Sequence, residues 1–431
     1  MRIIIILMVV FIFYTCKPMM SEADSLPYSD FSETEPLKNI KSPKFPPLMG
    51  AFWNKGLLFK SEDANFELKL DGRIMHERSW FDVDNDILKN IGDQVESKES
   101  HRVRLNLNSE IYKNTEFTAQ YNFDHGGSQN FNDVYVEVKK IPFLGNLRFG
   151  HLKEPFSLED QTPGKYITFM EQSVNSVFAQ SRNIGFILYN HVFKDRMRWA
   201  TNAFRITDDF DDSKGDSTAG DGYSFSGRIT GLPVYKEKGN RLIHTGFSYS
   251  YQNAFENKFS FASPPERRLA DDFVDTGEFR AESAHLFNPE LTIVYGPFSL
   301  QSEYTFADIK FGRDTPGPNT RFTAFYVSVS YFLTGERKKY DTETGKLDRI
   351  NPNKNFYLGK SLGAIELTAR YSELDLPYKS VAGDKLSDAT LGINWYLNPN
   401  TKIIFNYVYA DGSRSKDGDE DLAAMRFQFD F

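Results

Sequence analysis

The sequence predicts an all-β protein, a transmembrane antiparallel β-barrel of about 16 strands, and three observations carry that prediction. Apolar and polar residues alternate with period two over successive short segments. Aromatic residues reach 15%, with 39 Phe and 22 Tyr, while mean hydropathy stays at -0.49. The chain ends on an alternating segment whose last residue is Phe431. A bundle of membrane helices would be far more apolar. A barrel turns only every second residue of each strand to lipid and leaves the rest to a wet lumen.

Residues 1–23 read as an export signal, with Arg2 as the charged region, Ile3 to Tyr14 as the apolar core and Ser21-Glu22-Ala23 as the cleavage site. The apolar run is too short to span a bilayer. A second reading makes Cys16 the lipidated residue of a lipoprotein signal, although Phe13-Tyr14-Thr15 is a poor match to the leucine and small residues such signals carry. Cys16 is the single cysteine, so cleavage after Ala23 leaves no thiol for disulfides or metal sites. Residues 24–60 read as a periplasmic linker or tether, with Pro36, Pro43, Pro46 and Pro47, and 61–431 as the barrel. The formal charge of -8 lacks the basic excess of a nucleic-acid binder.

Taken in order, the segments begin at Phe66 to Ile74, where Phe66, Leu68, Leu70 and Ile74 share one face and Glu67, Lys69, Asp71 and Arg73 the other. Next, 102–111 sets Val103, Leu105, Leu107 and Ile111 against Arg102, Arg104, Asn106, Asn108 and Glu110. Further segments fall at 115–124, 131–138, 146–151, 184–191, 197–206, 223–230, 242–251, 279–286, 290–296, 298–306, 321–333, 363–372, 388–397, 400–410 and 422–431. The total is seventeen, and boundary errors make sixteen or eighteen equally defensible. Connections alternate short and long, as tight periplasmic turns and long external loops do. Gly296-Pro297 and Asn398-Pro399-Asn400 are the clearest turns, and 207–222, 252–278 and 335–360 the loop candidates.

A soluble β-sandwich would also alternate. Two features weigh against it. Aromatics gather near segment ends, as in Phe247, Tyr249 and Tyr251, matching interfacial girdles. In the last segment Ala423, Met425, Phe427, Phe429 and Phe431 alternate with Arg426, Gln428 and Asp430, and an aromatic C-terminus looks like the mark by which outer-membrane barrels are recognised by their assembly machinery.

At 150–159 the chain reads GHLKEPFSLE, followed by KYITFMEQSVNSVFAQSRNIGF at 165–186; VYGPFSLQSEY, YFLTGERKKY, ELTARYSELDL and LGINWYLNPN follow at 294–304, 331–340, 366–376 and 391–400. This ordered set resembles the phosphate-selective porin family over Phe66 to Phe431. The resemblance implies a homotrimer of barrels in the outer-membrane lipid, with infolded constriction loops and basic side chains that attract inorganic phosphate or other small anions. An oxyanion that loses water in a constriction needs guanidinium forks and hydroxyl or amide donors in its place.

Carried over residue by residue, Arg73 follows a Gly-Arg on the first strand, and Arg102 matches the second of the family's paired arginines. The first of that pair is replaced by His101, and Arg104 shares the face of Arg102. Lys153 enters the constriction with Ser157 as a hydroxyl donor, and Asp133 orients neighbouring basic groups. The plainer reading pairs these arginines with Glu67, Asp71 or Glu110 across the lumen. Arg267-Arg268 and Arg337-Lys338-Lys339 read as solvated loop charge, able to gather anions by steering.

The expected function is a passive, anion-preferring porin, with a non-selective general porin as the alternative. An enzyme is not expected, since no His-Glu-x-x-His or Gly-x-Ser-x-Gly occurs. A surface binding or adhesion barrel would use loops such as DDFDDSKGD at 208–216, which lacks full EF-hand spacing and reads as solvated acid. No cofactor is expected.

Overall fold

The computed structural model of the protein describes residues 50–83, 97–123, 130–180, 182–206, 222–254, 257–266, 272–312, 319–376, 385–413 and 418–431. The expected export signal with Cys16, the tether up to residue 49, the acidic stretch 207–221 and Arg267-Arg268 lie outside them.

Strands β1 (Gly50–Trp53) and β2 (Leu57–Lys60) form a short hairpin. Then come β3 (Phe66–Val83), β4 (Ser97–Ile111), β5 (Thr115–Asn122), β6 (Asn130–Ile141), β7 (Gly145–Leu152), β8 (Asn183–Val192), β9 (Met197–Arg205), β10 (Tyr223–Lys236) and β11 (Arg241–Asn253). Four two-residue strands, β12 (Lys258–Phe259), β13 (Ala262–Ser263), β14 (Val274–Asp275) and β15 (Phe279–Arg280), precede β16 (Ser283–Tyr295), β17 (Phe298–Lys310) and β18 (Thr320–Phe332). After β19 (Lys339–Asp341) and β20 (Lys346–Asp348), the chain finishes with β21 (Ala364–Asp375), β22 (Lys385–Asn398), β23 (Thr401–Ser413) and β24 (Gly418–Asp430).

Sixteen of these, β3–β11, β16–β18 and β21–β24, close into one antiparallel barrel. The seam is β24 against β3, from Glu420↔Val83 to Asp430↔Arg73. Phe431 finishes it: Gly72 and Phe431 exchange both backbone hydrogen bonds at 3.0 Å. Closure leaves no edge strand, which is the condition for strands to cross lipid. Beyond Phe431 the same edge of β3 pairs with β2, Leu57↔Leu70 to Lys60↔Glu67, so residues 50–60, expected in the tether, carry two strands.

Alternation decides what faces lipid. On β22 Leu391 and Ile393 point outward and Thr390 and Asn394 inward; on β24 Phe427 and Phe429 point outward and Arg426 and Gln428 inward. One sequence expectation is corrected. The segments 279–286 and 290–296 are not two barrel strands: 283–295 forms a single strand, β16, with Pro289 in its interior, and 279–280 forms the short β15. Proline lacks the ladder N–H and so reads as a break. Pairing with β17 does pause between Phe287↔Phe306 and Glu290↔Glu303, while the ladder to β11 runs on through Phe247↔Pro289.

Short connections at 112–114, 142–144, 193–196, 237–240, 296–297 and 399–400 share one end, the periplasmic end by the asymmetry of such barrels. The stretch 335–360, expected among the long external loops, is on this end instead and folds into the lumen as the hairpin β19–β20. At the opposite end the connections 153–182 and 254–282 also turn inward. Their aromatic and aliphatic side chains, among them Val174, Phe178, Phe261 and Phe273, pack on the wall residues Leu286, Phe322, Leu374 and Leu386. Each such buried side chain stabilises the infolded loops by about 1.5–3 kcal/mol. One half of the lumen is thereby filled.

Candidate anion-conducting site

The other half stays open. A cavity of about 540 Å³ runs along β3–β9, walled by those strands, the 153–182 connection and Lys346. Nine cationic side chains and four carboxylates line it, so a chain of formal charge -8 presents a locally positive passage.

Arg73, Arg102 and Arg104 all face this cavity, as alternation predicts. Arg73 stands directly opposite Arg104 on the β3–β4 ladder, a like-charge pair that is unfavourable without an anion or polar partner between the two. Arg73 is 8% exposed, its Nε has no hydrogen-bond partner, and no carboxylate among the described residues pairs with it. Gly164 lets the infolded loop lie over this guanidinium: a Cβ there would stand 3.2 Å from Nη1. Arg104 donates to Gln120 Oε1 at 3.2 Å. Arg102 is tied down, with Nε 3.1 Å from Glu77 Oε1 and a further pair to Glu171. Arg426 shares both carboxylates, at 3.0 and 2.7 Å.

The carboxylates expected to neutralise these arginines are engaged elsewhere. Glu67 pairs with Lys60, Glu110 with Lys139 at 2.9 Å, and Asp71 with Lys165 at 3.4 Å. Asp133 does orient a cation, holding Arg182 Nε at 2.6 Å. Lys153 also lines the cavity, with Nζ 2.5 Å from Asp160 Oδ1.

Ser157 differs from expectation: it does not line the passage. It is buried at the N-cap of α1 (Leu158–Gln161), where its hydroxyl accepts from Asp160 N at 3.2 Å. Its φ of 62° is unusual for a residue other than glycine and costs on the order of 1–3 kcal/mol. The surroundings hold it: Glu303 on the wall accepts from Leu158 N at 3.0 Å and Glu159 N at 2.8 Å. The motif thus folds the loop, and of its charged residues Lys153 alone lines the cavity, beside Leu152 and Pro155.

His101 is also corrected. It points outward beside His76, across the wall from Arg102, so the missing first arginine of the pair removes nothing from the lumen.

Arg148, Arg198, Lys165, Arg182 and Lys346 complete the positive wall and were not singled out from sequence. Arg148 and Arg198 lie on polar faces of β7 and β9, a signal shared with every inward residue. Arg148 is bound by Glu137 at 2.7 Å, whereas Arg198 stacks 4.5 Å from the centre of the Tyr189 ring and donates to Glu343 O at 3.0 Å. Lys346 comes from the periplasmic hairpin, which no local pattern would place inside the pore. It has no ion pair among the described residues; burial, then the charges of Arg198, Arg148 and Arg228, push its ammonium well below the usual lysine range. Lys338, expected as solvated loop charge, is 7% exposed, paired with Glu366 at 2.5 Å and bonded to Thr168 Oγ1 at 2.8 Å.

Comparison with known proteins agrees with this geometry. The family model described as phosphate-selective porin O and P matches residues 69–431. Porin O of Pseudomonas aeruginosa is 27% identical over 414 residues, covering 85% of this chain and 88% of that protein. An uncharacterised protein of Caulobacter vibrioides is 22% identical, covering 88% of this chain and 76% of its own. Among solved structures, OprB of Pseudomonas putida superposes with a TM-score of 0.53 at 9% identity, covering 88% of this chain and 94% of its own. An anion-selective porin from Comamonas acidovorans gives 0.51 at 12% identity, covering 85% and 100%. Those two support the barrel alone. With the matched family model spanning the whole barrel, the chain belongs to the phosphate-selective porin O and P family of the bacterial outer membrane.

Proposed function

We propose that this porin conducts small oxyanions of the phosphate class passively through the cationic passage along β3–β9. The observation that carries the reading is Arg73, buried at the wall opposite Arg104 without a carboxylate partner among the described residues. At an effective dielectric near 20, one unit charge about 5 Å from a permeating ion contributes about 3 kcal/mol before screening. Several such charges of moderate strength suit conduction, since a single very tight site would trap the ion. Arg198 lines the same passage from β9, and Lys346 lines it from the β19–β20 hairpin. Arg73, Arg102, Arg104 and Lys153 are the proposed contact residues; Asp133 positions Arg182, and Ser157 positions the loop.

Family membership supports the wider assignments of the same proposal: export through residues 1–23, a tether before the barrel, association as a homotrimer, and recognition of Phe431 by the barrel assembly machinery. Reversal potentials of the full-length mature protein in planar bilayers under a salt gradient test the central claim. An anion preference that falls in Lys346→Glu is expected. Equal permeability of both ions would move the reading to a general porin, and absence of conductance would end it.

A further inference from the structure

Four carboxylates line the passage, and three of them hold lining cations: Asp71 meets Lys165 at 3.4 Å, Asp133 meets Arg182 at 2.6 Å and Asp160 meets Lys153 at 2.5 Å. The fourth, Glu171, is shared by two guanidiniums, Arg102 on β4 and Arg426 on β24, the latter at 2.7 Å. Glu77 on β3 meets the same two arginines, at 3.1 and 3.0 Å. The two carboxylates are placed differently. The Glu77 side chain is 3% exposed and sealed in the wall, whereas that of Glu171 is 22% exposed and faces the cavity. Arg102 therefore has one counter-ion fixed in the wall and one on the side from which a permeating ion arrives.

The carboxylate of Glu171 is not what holds its loop. Met170 N donates to Asn406 Oδ1 at 3.2 Å, Arg370 donates from both Nη1 and Nη2 to Glu171 O at 3.2 Å, and Ser173 N donates to Glu159 Oε2 at 2.9 Å. The main chain on both sides of residue 171 is thus anchored by contacts that leave its carboxylate out. A side chain on such a base can swing away and return without moving the loop. Carboxylate and phosphate oxygens suit the same guanidinium fork, so Glu171 takes the place on Arg102 that an oxyanion would take.

We propose that Glu171 is a tethered competitor of the permeating oxyanion, yielding Arg102 to the ion as it enters and retaking it as the ion leaves. The proposal rests on the conduction reading above and adds what limits the ion's stay. Arg73, Arg102 and Arg104 on β3 and β4 would together hold an oxyanion tightly, and a site of that strength traps its ion. A group attached to the protein competes at a high effective concentration, whatever the level of solute outside. Its return also replaces hydrogen bonds that the departing ion takes away, which lowers the cost of exit. Glu77 cannot serve in this way, because it stays in the wall whether the ion is present or absent.

Phosphate titrated against the chloride current of the full mature protein in planar bilayers tests the proposal. Glu171→Gln keeps the shape and removes the charge. If Arg102 is open to the ion about a tenth of the time in the wild type, phosphate should block this variant at about tenfold lower concentration. Its saturating phosphate conductance should fall several-fold, because the ion leaves more slowly. A block that is unchanged or weaker overturns the proposal, since a merely structural tie would loosen the site when cut. In Glu171→Ala, added formate should take the vacated place and return the block to its wild-type concentration, while leaving the wild type unaffected. Formate without effect on Glu171→Ala overturns the proposal as well. The wild type supplies a reading that needs no variant: with isotope-labelled glutamate, phosphate should shift an infrared carboxylate stretching band, and a flat phosphate-minus-chloride difference overturns the proposal. A wild type that prefers cations ends the conduction reading and this proposal with it. An anion-preferring wild type without tightening in Glu171→Gln ends this proposal alone.

Discussion

Arg370 and Arg73 are both almost wholly buried inside the barrel, at 4% and 8% exposure, and they do opposite things. Arg370, on β21, donates from Nε to Glu266 at 2.8 Å, from Nη1 to Glu159 at 3.2 Å and to Glu171 O at 3.2 Å, and its guanidinium covers Phe169 at 4.3 Å. Arg73, on β3, has no carboxylate among the described residues. The contrast extends to the regions around them. In the filled half, cations come with carboxylates: Arg228 meets Glu290 at 2.7 Å between two wall strands, and Lys338 meets Glu366 at 2.5 Å, which ties the infolded periplasmic connection to the wall. In the open half, Arg73, Arg198 and Lys346 line the passage without an ion-pairing carboxylate among the described residues. One residue type serves as a tie or as field according to what the opposite element brings.

The contrast breaks most visibly at Arg370. Its replacement by Met leaves Glu159 and Glu266 buried without their cation, a loss of about 3–5 kcal/mol. Thermal unfolding in detergent should shift down accordingly, and the 153–182 connection should become protease-sensitive. A variant no less stable than Arg73→Met would show that the two arginines are not different in kind. Phe273→Ala removes a side chain 1% exposed from the aromatic packing and should cost about 3 kcal/mol. With the 254–282 connection loosened, single-channel conductance should rise several-fold and lose preference; unchanged conductance would mean that the filled half does not confine the passage.

Arg73→Met sharpens the other side. Removing an unneutralised charge beside Arg104 relieves repulsion, so stability should change by less than about 1 kcal/mol in either direction. The anion-to-cation permeability ratio should fall about tenfold, equivalent to about 1.4 kcal/mol. A ratio that stays put would remove Arg73 from the conducting site and leave Lys346 and Arg198 as its core.

Sequence alone resolves the barrel well because period-two alternation is a local property that closure uses everywhere. Only Pro289, whose missing N–H is tolerated inside β16, splits a strand on paper. The inward side of Arg73, Arg102 and Arg104 follows from the same rule. What each cation meets does not, because Glu171 reaches Arg102 from an infolded loop 69 positions away, and the carboxylates on adjacent rungs are taken by lysines. The motif around Lys153 carries a folding instruction, the cap at Ser157, that is indistinguishable in sequence from a ligand. Lys346 is illegible for a stronger reason: its position depends on a long periplasmic connection turning inward, and that is decided by His244 bonding Tyr340 at 2.7 Å and Lys338 meeting Glu366, contacts between elements remote in the chain.

The smallest effect comes from the seam between the two halves, where Glu154 begins the infolded connection. It is 1% exposed, accepts from Ser250 Oγ at 2.7 Å through Oε1, and its Oε2 has no partner among the described residues. Burial first, and the nearby charge of Asp160 second, push its carboxyl up to about 7 from an ordinary 4.5. A carboxyl raised in the docked state favours docking while it is protonated. That contribution is complete below about pH 4.5 and is lost as pH rises through 7. Docking should therefore loosen between pH 5 and pH 8, while Glu303 and Glu159, which also tie the connection, keep it in place. Brief closures in single-channel records should become about twofold more frequent across that range in the wild type and stay constant in Glu154→Gln, whose amide cannot ionise. The opposite slope, or a slope that survives in Glu154→Gln, would place the titrating group elsewhere in the lumen.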